Sequence, residues 1–557
     1  MSPSDPAAVG AVAPGRSWRE DIAAFAHPRV VTMLFLGFSA GVPILLIFSS
    51  LSLWLREAGV EKSAVTYFSW AALGYSFKFV WAPLVDRLPL PLLTRLLGRR
   101  RGWLLLSQIA VAGSILWMAS IDPAAGLAAM TNAPSDAASE SAPLATAALT
   151  LMAFAAVSLG FSSATQDIVI DAYRIDSAGS ELQAMMSSSY IAGYRIGMIV
   201  AGAGALYLAE GFGSTADVYD YAAWRTTYAI MAGVMAIGMA TTLLIDEPDP
   251  RSNGAGAKAS ASTTTRTTLD NVRFFIAFVL GVAAFVVAFR LMADPTSAAK
   301  AAFASVSGNA ALAGVLGAAF RLFVCLGVAA AVFRGLIAIG LVRADAVREA
   351  YLAPVADFFA RYGTSVAWLL LALVGFYRVS DIVLGVIANV FYQDMGYTKV
   401  QIANVSKVFG LLMTIAGGFL GGLLAVRFGV LRILLLGAVL AAGTNLLFLL
   451  LAGGEPVLPL LWAVIGADNL SAGLSSAAFI AFLASLTNVS FTAVQYAIFS
   501  SIMTLFPKAL GGYSGSIVES MGYSGFFVMT ALLTVPVILL IVLARRHLDR
   551  QVRFAPA

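Results

Sequence analysis

The chain has 557 residues, 60% of them hydrophobic and only 12% charged, with a formal net charge of +5. A soluble surface draws on about 25% charged residues, so a water-soluble globule is excluded and the bilayer must solvate most of the chain. One cysteine, Cys325, excludes a disulfide framework and a thiolate metal site, and the two histidines, His27 and His547, flank the apolar region, leaving carboxylates to carry protons within it.

Residues Met1 to Ala26 are small and polar and lack the apolar core of a cleaved signal peptide. A span needs about 20 mostly apolar residues. Hydropathy predicts fourteen, near 31–54, 64–85, 102–121, 146–170, 184–208, 224–245, 273–291, 313–341, 366–390, 400–426, 430–452, 457–482, 491–515 and 523–544. Arg321 and Arg334 interrupt the eighth. Thr131 to Pro143 is Ala/Ser-rich and is expected to be a mobile periplasmic loop. Glu247 to Thr268 reads as a flexible cytoplasmic linker. Arg343 to Arg361 sets Leu352, Val355, Phe358 and Phe359 at helical spacing opposite charges, as a helix along the cytoplasmic interface would. Basic residues concentrate on alternate connections: Arg16, Arg19 and Arg29; Arg95, Arg99, Arg100 and Arg101; Arg251, Lys258 and Arg266; Arg545, Arg546 and Arg550. That asymmetry places both termini in the cytoplasm and gives the net charge a topological meaning, not a nucleic-acid one.

The chain repeats internally. Trp54 to Ser69 (WLREAGVEKSAVTYFS) resembles Phe391 to Ser406 (FYQDMGYTKVQIANVS), and Gly160 to Ala172 (GFSSATQDIVIDA) resembles Gly473 to Ser485 (GLSSAAFIAFLAS). The second register aligns Arg195 with Lys508. Two six-span halves around an inserted pair define an all-α integral membrane protein of major facilitator architecture, in which substrate sites lie between the halves near the midplane. The expected divisions are a cytoplasmic N-terminal segment 1–29, a six-helix bundle 30–246, a cytoplasmic linker 247–272, two extra transmembrane helices 273–342, a cytoplasmic amphipathic helix 343–365, a second six-helix bundle 366–544 and a cytoplasmic tail 545–557.

Trp81 to Trp103 (WAPLVDRLPLPLLTRLLGRRRGW) is a variant of the facilitator loop, with a carboxylate at a helix end, an arginine beside it and a basic cluster. Asp86 and Arg87 are its gating candidates, with Arg174 a third; Gly421 to Arg432 keeps the glycines and arginines of the motif without the Asp. These features, with FLGFSAGVP at Phe35 to Pro43, SSATQDIVIDAYR at Ser162 to Arg174, AGYRIGMIVAGAGAL at Ala192 to Leu206 and FLASLTNVSFTAVQYAIFSS at Phe482 to Ser501, resemble the AmpG muropeptide permease family over most of Arg29 to Ala544. The resemblance implies a monomeric, multi-pass protein of the bacterial inner membrane. It implies proton-driven import of N-acetylglucosaminyl-anhydro-N-acetylmuramyl peptides for cell-wall recycling, with an influence on β-lactamase induction. Its partners would be the anhydromuropeptide, protons and the lipid bilayer; no cofactor, metal, nucleic acid or enzymatic step is implied. A carrier of another anionic substrate, such as acyl-CoA or a nucleotide-sugar, stays open, as does a non-transporting sensor. The chain has no G-x-x-x-x-G-K-[ST] loop for an ATP-driven pump.

A charge at a helix centre in the membrane costs at least about 2.5–3.5 kcal/mol, so each needs a reason. Arg195 lies roughly 18 Å into the fifth span at about 1.5 Å per residue, and Arg378 is similarly deep in the ninth; both suit bidentate recognition of a substrate carboxylate, or Arg378 an ion pair with Asp381. Asp167 and Asp171 share a helical face at i, i+4, at the depth of Lys78, and a Lys78–Asp167 or Lys78–Asp171 pair would neutralise both charges. Asp167, Asp171, Asp381 and Lys78 are the proton-coupling candidates. Tyr190 and Tyr194, on one face beside Arg195, suit sugar rings, while Gly193 and Gly197 read as packing. Gln166, Tyr377, Lys407, Asp468, Asn469, Gln495 and Lys508 complete the substrate-binding candidates. Asn488 caps a helix or lines the cavity.

Overall fold

The computed structural model describes residues 23–47, 49–60, 74–125, 135–215, 218–248, 268–307, 310–397, 399–453, 455–511 and 514–554. The described residues are overwhelmingly helical, and no strand occurs among them. This follows from the solvent: in hydrocarbon a helix satisfies its own backbone donors and acceptors. Among the described residues, twelve helices are long and apolar enough to cross a membrane. They fall on every expected span except the second, of which residues 61–73 lie outside the described part, and the eighth, a 29-residue helix Ala310–Ala338 whose apolar part Phe323–Ala338 is shorter.

The helices that position the site are α1 (Pro28–Ile47), α2 (Ala82–Arg87), α3 (Arg99–Ala119), α4 (Ser135–Ser177), α5 (Ser180–Ile199), α6 (Tyr221–Val234), α7 (Thr268–Leu291), α8 (Ala310–Ala338), α9 (Ala353–Tyr362), α10 (Thr364–Phe376), α11 (Val379–Asp394), α12 (Gly410–Phe428), α13 (Val430–Ala452), α14 (Leu458–Leu486) and α15 (Thr492–Gly511). One apolar cluster draws only on residues between Val42 and Met235, around Trp54, Trp224 and Tyr228. Another draws only on residues between Val379 and Phe527, around Phe391, Phe448, Phe526 and Phe527. Two more join elements from distant parts of the chain, and one of these takes in Phe274 and Phe333 of the inserted pair α7 and α8. The Arg321 charge in α8 sits 3.7 Å from the Phe289 ring centroid, and its Nε donates to the Phe289 carbonyl at 3.0 Å.

Three sequence expectations change. Residues 135–143 form the start of α4 instead of a mobile loop; an alanine-rich stretch pays little side-chain entropy on entering a helix. Residues 131–134, and 249–267 of the expected linker, lie outside the described residues. The ninth span is broken at Tyr377–Arg378 into α10 and α11, and the last is broken at Leu533. The Arg343–Arg361 segment is helical as expected, in three pieces: Ala344–Val347, a π turn Arg348–Leu352, and α9. Leu352 and Val355 face outward from it, while Phe358 is buried against Phe499 at a centroid distance of 5.2 Å.

Glycines set the closest helix crossings. A Cβ at Gly193 would meet the Leu34 carbonyl, one at Gly197 the Phe38 carbonyl, one at Gly37 the Tyr190 carbonyl and one at Gly41 the Tyr194 carbonyl, so α1 and α5 touch backbone to backbone. Gly417 against Leu470, Gly421 against Leu474 and Gly473 against Thr414 repeat the arrangement between α12 and α14. Small residues are the means of association where lipid supplies no hydrophobic drive. The packing role expected for Gly193 and Gly197 is thus explained by contact with backbone, which cannot yield as a side chain can. Gly193→Ala should therefore lower thermal stability in detergent by at least about 1–3 kcal/mol, the usual cost of overpacking. Gly233→Ala, at a position with nothing within 4 Å of the added Cβ, should leave the melting midpoint unchanged or raised.

Candidate functional site

The charged side chains inside the protein gather in three clusters, the first two beside irregular stretches of helix. Lys78 opens a 3-10 turn, Lys78–Val80; a π turn, Val200–Gly204, follows Arg195 by one helical turn; Arg378 sits at the break between α10 and α11; Lys407 lies in the π turn Ala403–Phe409. Irregular backbone at membrane depth is tolerated only where protein or a wet cavity meets its polar groups, and π turns concentrate at functional positions.

The first cluster joins the 3-10 turn to α4 and α5. Lys78 Nζ lies 3.6 Å from Asp171 Oδ2, and Arg174 Nη2 lies 3.3 Å from Asp171 Oδ1. Arg174 Nη1 donates to Ser187 Oγ at 3.0 Å, and the Tyr190 hydroxyl donates to Asp167 Oδ1 at 3.4 Å. Of the two pairings open to Lys78, the ion pair forms with Asp171, while Asp167 feels the same ammonium at longer range. Two cations and two carboxylates, all less than a tenth exposed, bring the cluster to zero net charge. The Tyr190 and Tyr194 rings are 6.0 Å apart, and the Arg174 guanidinium sits 6.0 Å from the Tyr190 centroid.

The second cluster spans the two halves of the chain. Arg378 Nη1 donates to Ser476 Oγ at 2.6 Å and Nε lies 3.4 Å from Asp381 Oδ2, the intrahelical pair that its spacing allows. Arg195 has only a weak contact with Met198 Sδ at 3.9 Å and no carboxylate within ion-pair distance among the described residues, and it is close enough to Arg378 for the two guanidinium charges to repel. Asp468 accepts from Thr444 Oγ1 at 3.3 Å and is repelled by Asp381. The repeat aligns Ser163 with Ser476, and both receive polar groups from other helices: Ser163 from the Tyr75 hydroxyl, Ser476 from Arg378.

The third cluster closes the face that carries the Arg95–Arg101 group. Arg100 donates to Asp86 Oδ1 at 2.9 Å and to Asp176 Oδ2 at 2.8 Å, with all three side chains buried. Asp86 in turn accepts from the backbone N–H groups of Ala493 (3.3 Å) and Val494 (3.1 Å), and Asp176 accepts from Thr492 Oγ1 at 2.8 Å. The free N–H groups and the positive end of the α15 dipole make the first turn a natural seat for a carboxylate. Glu247 does the same for α3, accepting from the N–H groups of Arg100 and Arg101 at 2.8 and 2.9 Å. Beside it, Gln495 donates to the Pro354 carbonyl and to Asp357, both at 2.8 Å, while Arg361 pairs with Asp357 at 3.0 Å. Tyr351, just before α9, donates to the Val80 carbonyl at 2.9 Å.

Of the sequence candidates, Asp86, Lys78, Asp167, Asp171, Arg174, Tyr190, Tyr194, Arg195, Arg378, Asp381 and Asp468 fall in these clusters. Gln166 instead bonds Ser39 between α4 and α1, and Tyr377 stacks on Phe479 at 4.4 Å with its hydroxyl on the Leu434 carbonyl. Asn469 accepts from Thr414 at 2.9 Å, tying α14 to α12. Gln495 belongs to the α9 contact, and Asn488 caps the turn that precedes α15 while donating to Asp357 at 2.9 Å. The side chains of Arg87, Lys407 and Lys508 lie outside the described residues. Sequence reading passed over Arg100, Asp176, Thr492 and Tyr496. Arg100 had a signal, as one of the basic cluster in the facilitator-loop motif that holds Asp86, but it was given no role of its own; its contact with Asp176 joins segments 76 residues apart.

This is a multi-pass α-helical membrane protein with the major facilitator fold. The proton:xylose symporter XylE superposes with a TM-score of 0.55 at 11% identity, covering 97% of each chain, and a bacterial homologue of the iron transporter ferroportin in an outward-facing state with 0.54 at 10%, covering 93% of this chain and 98% of that one. In sequence the chain is similar to AmpG 4 of Rickettsia felis, 27% identical over 94% of this chain and 98% of that protein, and to the anhydromuropeptide permease of Escherichia coli K12, 26% identical over 94% and 81%. Residues 29–215 also match the family model described as acetyl-coenzyme A transporter 1.

Arg100 is the cation that Asp86 and Asp176 share. Arg100→Gln should leave two buried carboxylates facing each other and lower stability by about 3–5 kcal/mol, as breaking a buried ion pair from one side does. The check is the thermal unfolding midpoint in detergent, with Arg100→Lys expected between the two because it loses the fork that reaches both partners.

Proposed function

We propose that the protein is a permease that imports anhydromuropeptides, with N-acetylglucosaminyl-anhydro-N-acetylmuramyl peptides as substrate and protons as the driving ion. The observation that carries this reading is the pair Arg195 and Arg378. Each half contributes one cation, the two charges repel, and Arg195 has no ion pair among the described residues. A low-dielectric interior strengthens that repulsion, and an anion placed between the two relieves it. A ligand with carboxylates would then draw the halves together, which is how a substrate biases alternating access. The similarity to the anhydromuropeptide permease of Escherichia coli K12 over nearly the whole chain supports the same substrate class. Tyr190 and Tyr194, close to Arg195, offer faces to the sugar rings.

In this reading the Lys78–Asp167–Asp171–Arg174 cluster takes up the proton, with Asp381 as a further acceptor. Asp86 and Arg174, with Arg87, gate the basic face, which is the cytoplasmic one. The two six-helix units move as bodies, both termini are cytoplasmic, the membrane is the bacterial inner membrane, and the chain works as a monomer without catalysing a reaction. Proteoliposomes free of ATP should accumulate labelled anhydromuropeptide when an acid-outside gradient is imposed and lose it with a protonophore; a requirement for ATP would sink the idea.

A second reading follows from the match of residues 29–215 to the acetyl-coenzyme A transporter description. The Arg195–Arg378 pair would serve a phosphate as well as a carboxylate. Competition separates the two: excess acetyl-coenzyme A should leave muropeptide uptake unchanged, whereas full inhibition with acetyl-coenzyme A transport favours the second.

Arg195→Ala should weaken muropeptide binding about ten- to a hundredfold, the worth of one charge-assisted contact, and Arg195→Lys should fall between because it keeps the charge and loses the fork. Binding to the purified, folded variants is the measurement, and wild-type affinity in Arg195→Ala would remove Arg195 from the site.

A further inference from the structure

The stretch between the inserted pair and the second half is fixed at its two ends to different parts of the protein. Its first part lies on the first half. The π turn Arg348–Leu352 packs against α2, and the Tyr351 hydroxyl donates to the Val80 carbonyl at 2.9 Å. The Tyr351 ring meets Phe333 of α8 edge to face at 6.4 Å, so the inserted pair backs the same contact. Its second part, α9, lies on the second half. The Pro354 carbonyl accepts from Gln495 at 2.8 Å, Asp357 accepts from Gln495 and Asn488 at 2.8 and 2.9 Å, and Arg361 donates to the Leu486 carbonyl at 3.0 Å. Phe358 packs on Phe499. Between Tyr351 and Pro354 stand two residues, Leu352 and Ala353, and the backbone there is weakly tied. The Ala353 N–H reaches back to the Arg348 carbonyl in the wide closure of a π turn, and Pro354 has no N–H to continue the ladder.

We propose that Leu352–Pro354 is the joint of a strap that lets the basic face open and sets how far it opens. The proposal rests on the reading of the protein as an alternating-access permease. Opening that face parts Asp86 from the N–H groups of Ala493 and Val494, and so carries the first turn of α15 away from α2. Gln495 on that turn holds α9, so α9 travels with α15, while Tyr351 stays with Val80. The separation falls on the residues between them. From Tyr351 to Pro354 the chain rises about 4.5 Å as a helix and reaches about 10 Å when extended, so straightening the joint yields about 6 Å. Further opening has to break the Tyr351 contact or the charged contacts of α9.

One test fixes the joint reversibly. In a Cys325→Ser background, Leu352→Cys with Ala356→Cys places two exposed positions one turn apart across Pro354, and Ala356→Cys with Ala360→Cys repeats the spacing inside α9. A short bifunctional methanethiosulfonate bridges each pair, and dithiothreitol removes it. The readout is uptake of radiolabelled N-acetylglucosaminyl-anhydro-N-acetylmuramyl tripeptide into proteoliposomes. The bridge across the joint should cut uptake at least about tenfold, and the bridge inside α9 should leave it within about twofold. Recovery on reduction separates a blocked joint from a misfolded protein. Equal effects of the two bridges, or no effect of either, would overturn the proposal.

A second measurement needs no substrate. One spin label at Leu96, in the helix Leu93–Leu97 of the first half, is paired with a label at Ala344 before the joint or at Ala360 beyond it; all three positions are exposed. Asp86→Asn takes the charge out of the closure and populates the open face. In that variant the Leu96–Ala360 distance should gain a population longer by about 6 Å, the reach of the joint, and the Leu96–Ala344 distance should stay as it is. Lengthening of both distances, or of neither, would overturn the joint. If the labels report the joint while wild-type protein takes up no muropeptide, the substrate reading falls and the joint stands.

Discussion

A charge inside hydrocarbon must find an opposite charge or a polar group within a few ångströms, and the arrangement of this protein's helices follows from that. Desolvating an ion costs several kcal/mol, which only close partners offset. Lys78, Asp171 and Arg174 answer the demand within the first half of the chain; Asp86, Arg100 and Asp176 answer it at one face, with the N-terminal turn of α15 supplying two N–H donors from the other half. A contact that joins two halves through buried charge is strong while dry and weak once wet. That is the property a gate needs. Arg195 is the exception, a cation set near another cation.

Such contacts require helices held at fixed depth and rotation. The glycine crossings of α1 with α5 and of α12 with α14 do this by bringing backbones together, so that Tyr190, Tyr194 and Arg195 on one pair and Asp468 and Ser476 on the other are presented at set heights. The irregular turns at Lys78, Val200 and Arg378 then release polar side chains from the regular helical register. The segment from Tyr351 to Arg361 touches both Val80 and the first turn of α15, so the connection after the inserted pair α7 and α8 lies against the same closure.

The two families of similarity agree on chemistry more than on cargo. A permease for a carboxylate-bearing glycopeptide and a carrier for a phosphate-bearing thioester both require cations between two moving bodies. In the proposed function the pair Arg195 and Arg378 is assigned that requirement, and the neighbouring tyrosines are assigned to rings that bear hydroxyls. Fold similarity at 10–11% identity adds the architecture and nothing about the ligand.

The sequence by itself determined the membrane location, the order of the spans, the internal repeat and the residues too costly to bury without purpose. These are legible because apolar length and the price of a buried charge act locally, residue by residue. It named Asp86, Lys78 and Asp171 on that ground, and left Lys78 with two possible partners. The tertiary structure decided between them, because rotation about a helix axis by one residue, about 100°, moves a side chain to another neighbour. It also decided that Gln166 and Tyr377 pack within helix contacts, that Arg100 bridges Asp86 and Asp176, and that Tyr496 meets Arg174. Asp86 and Val494 are separated by 408 positions, and no local pattern records a partner that distant. Their meeting depends on how whole helices cross, which the packing of many side chains settles together.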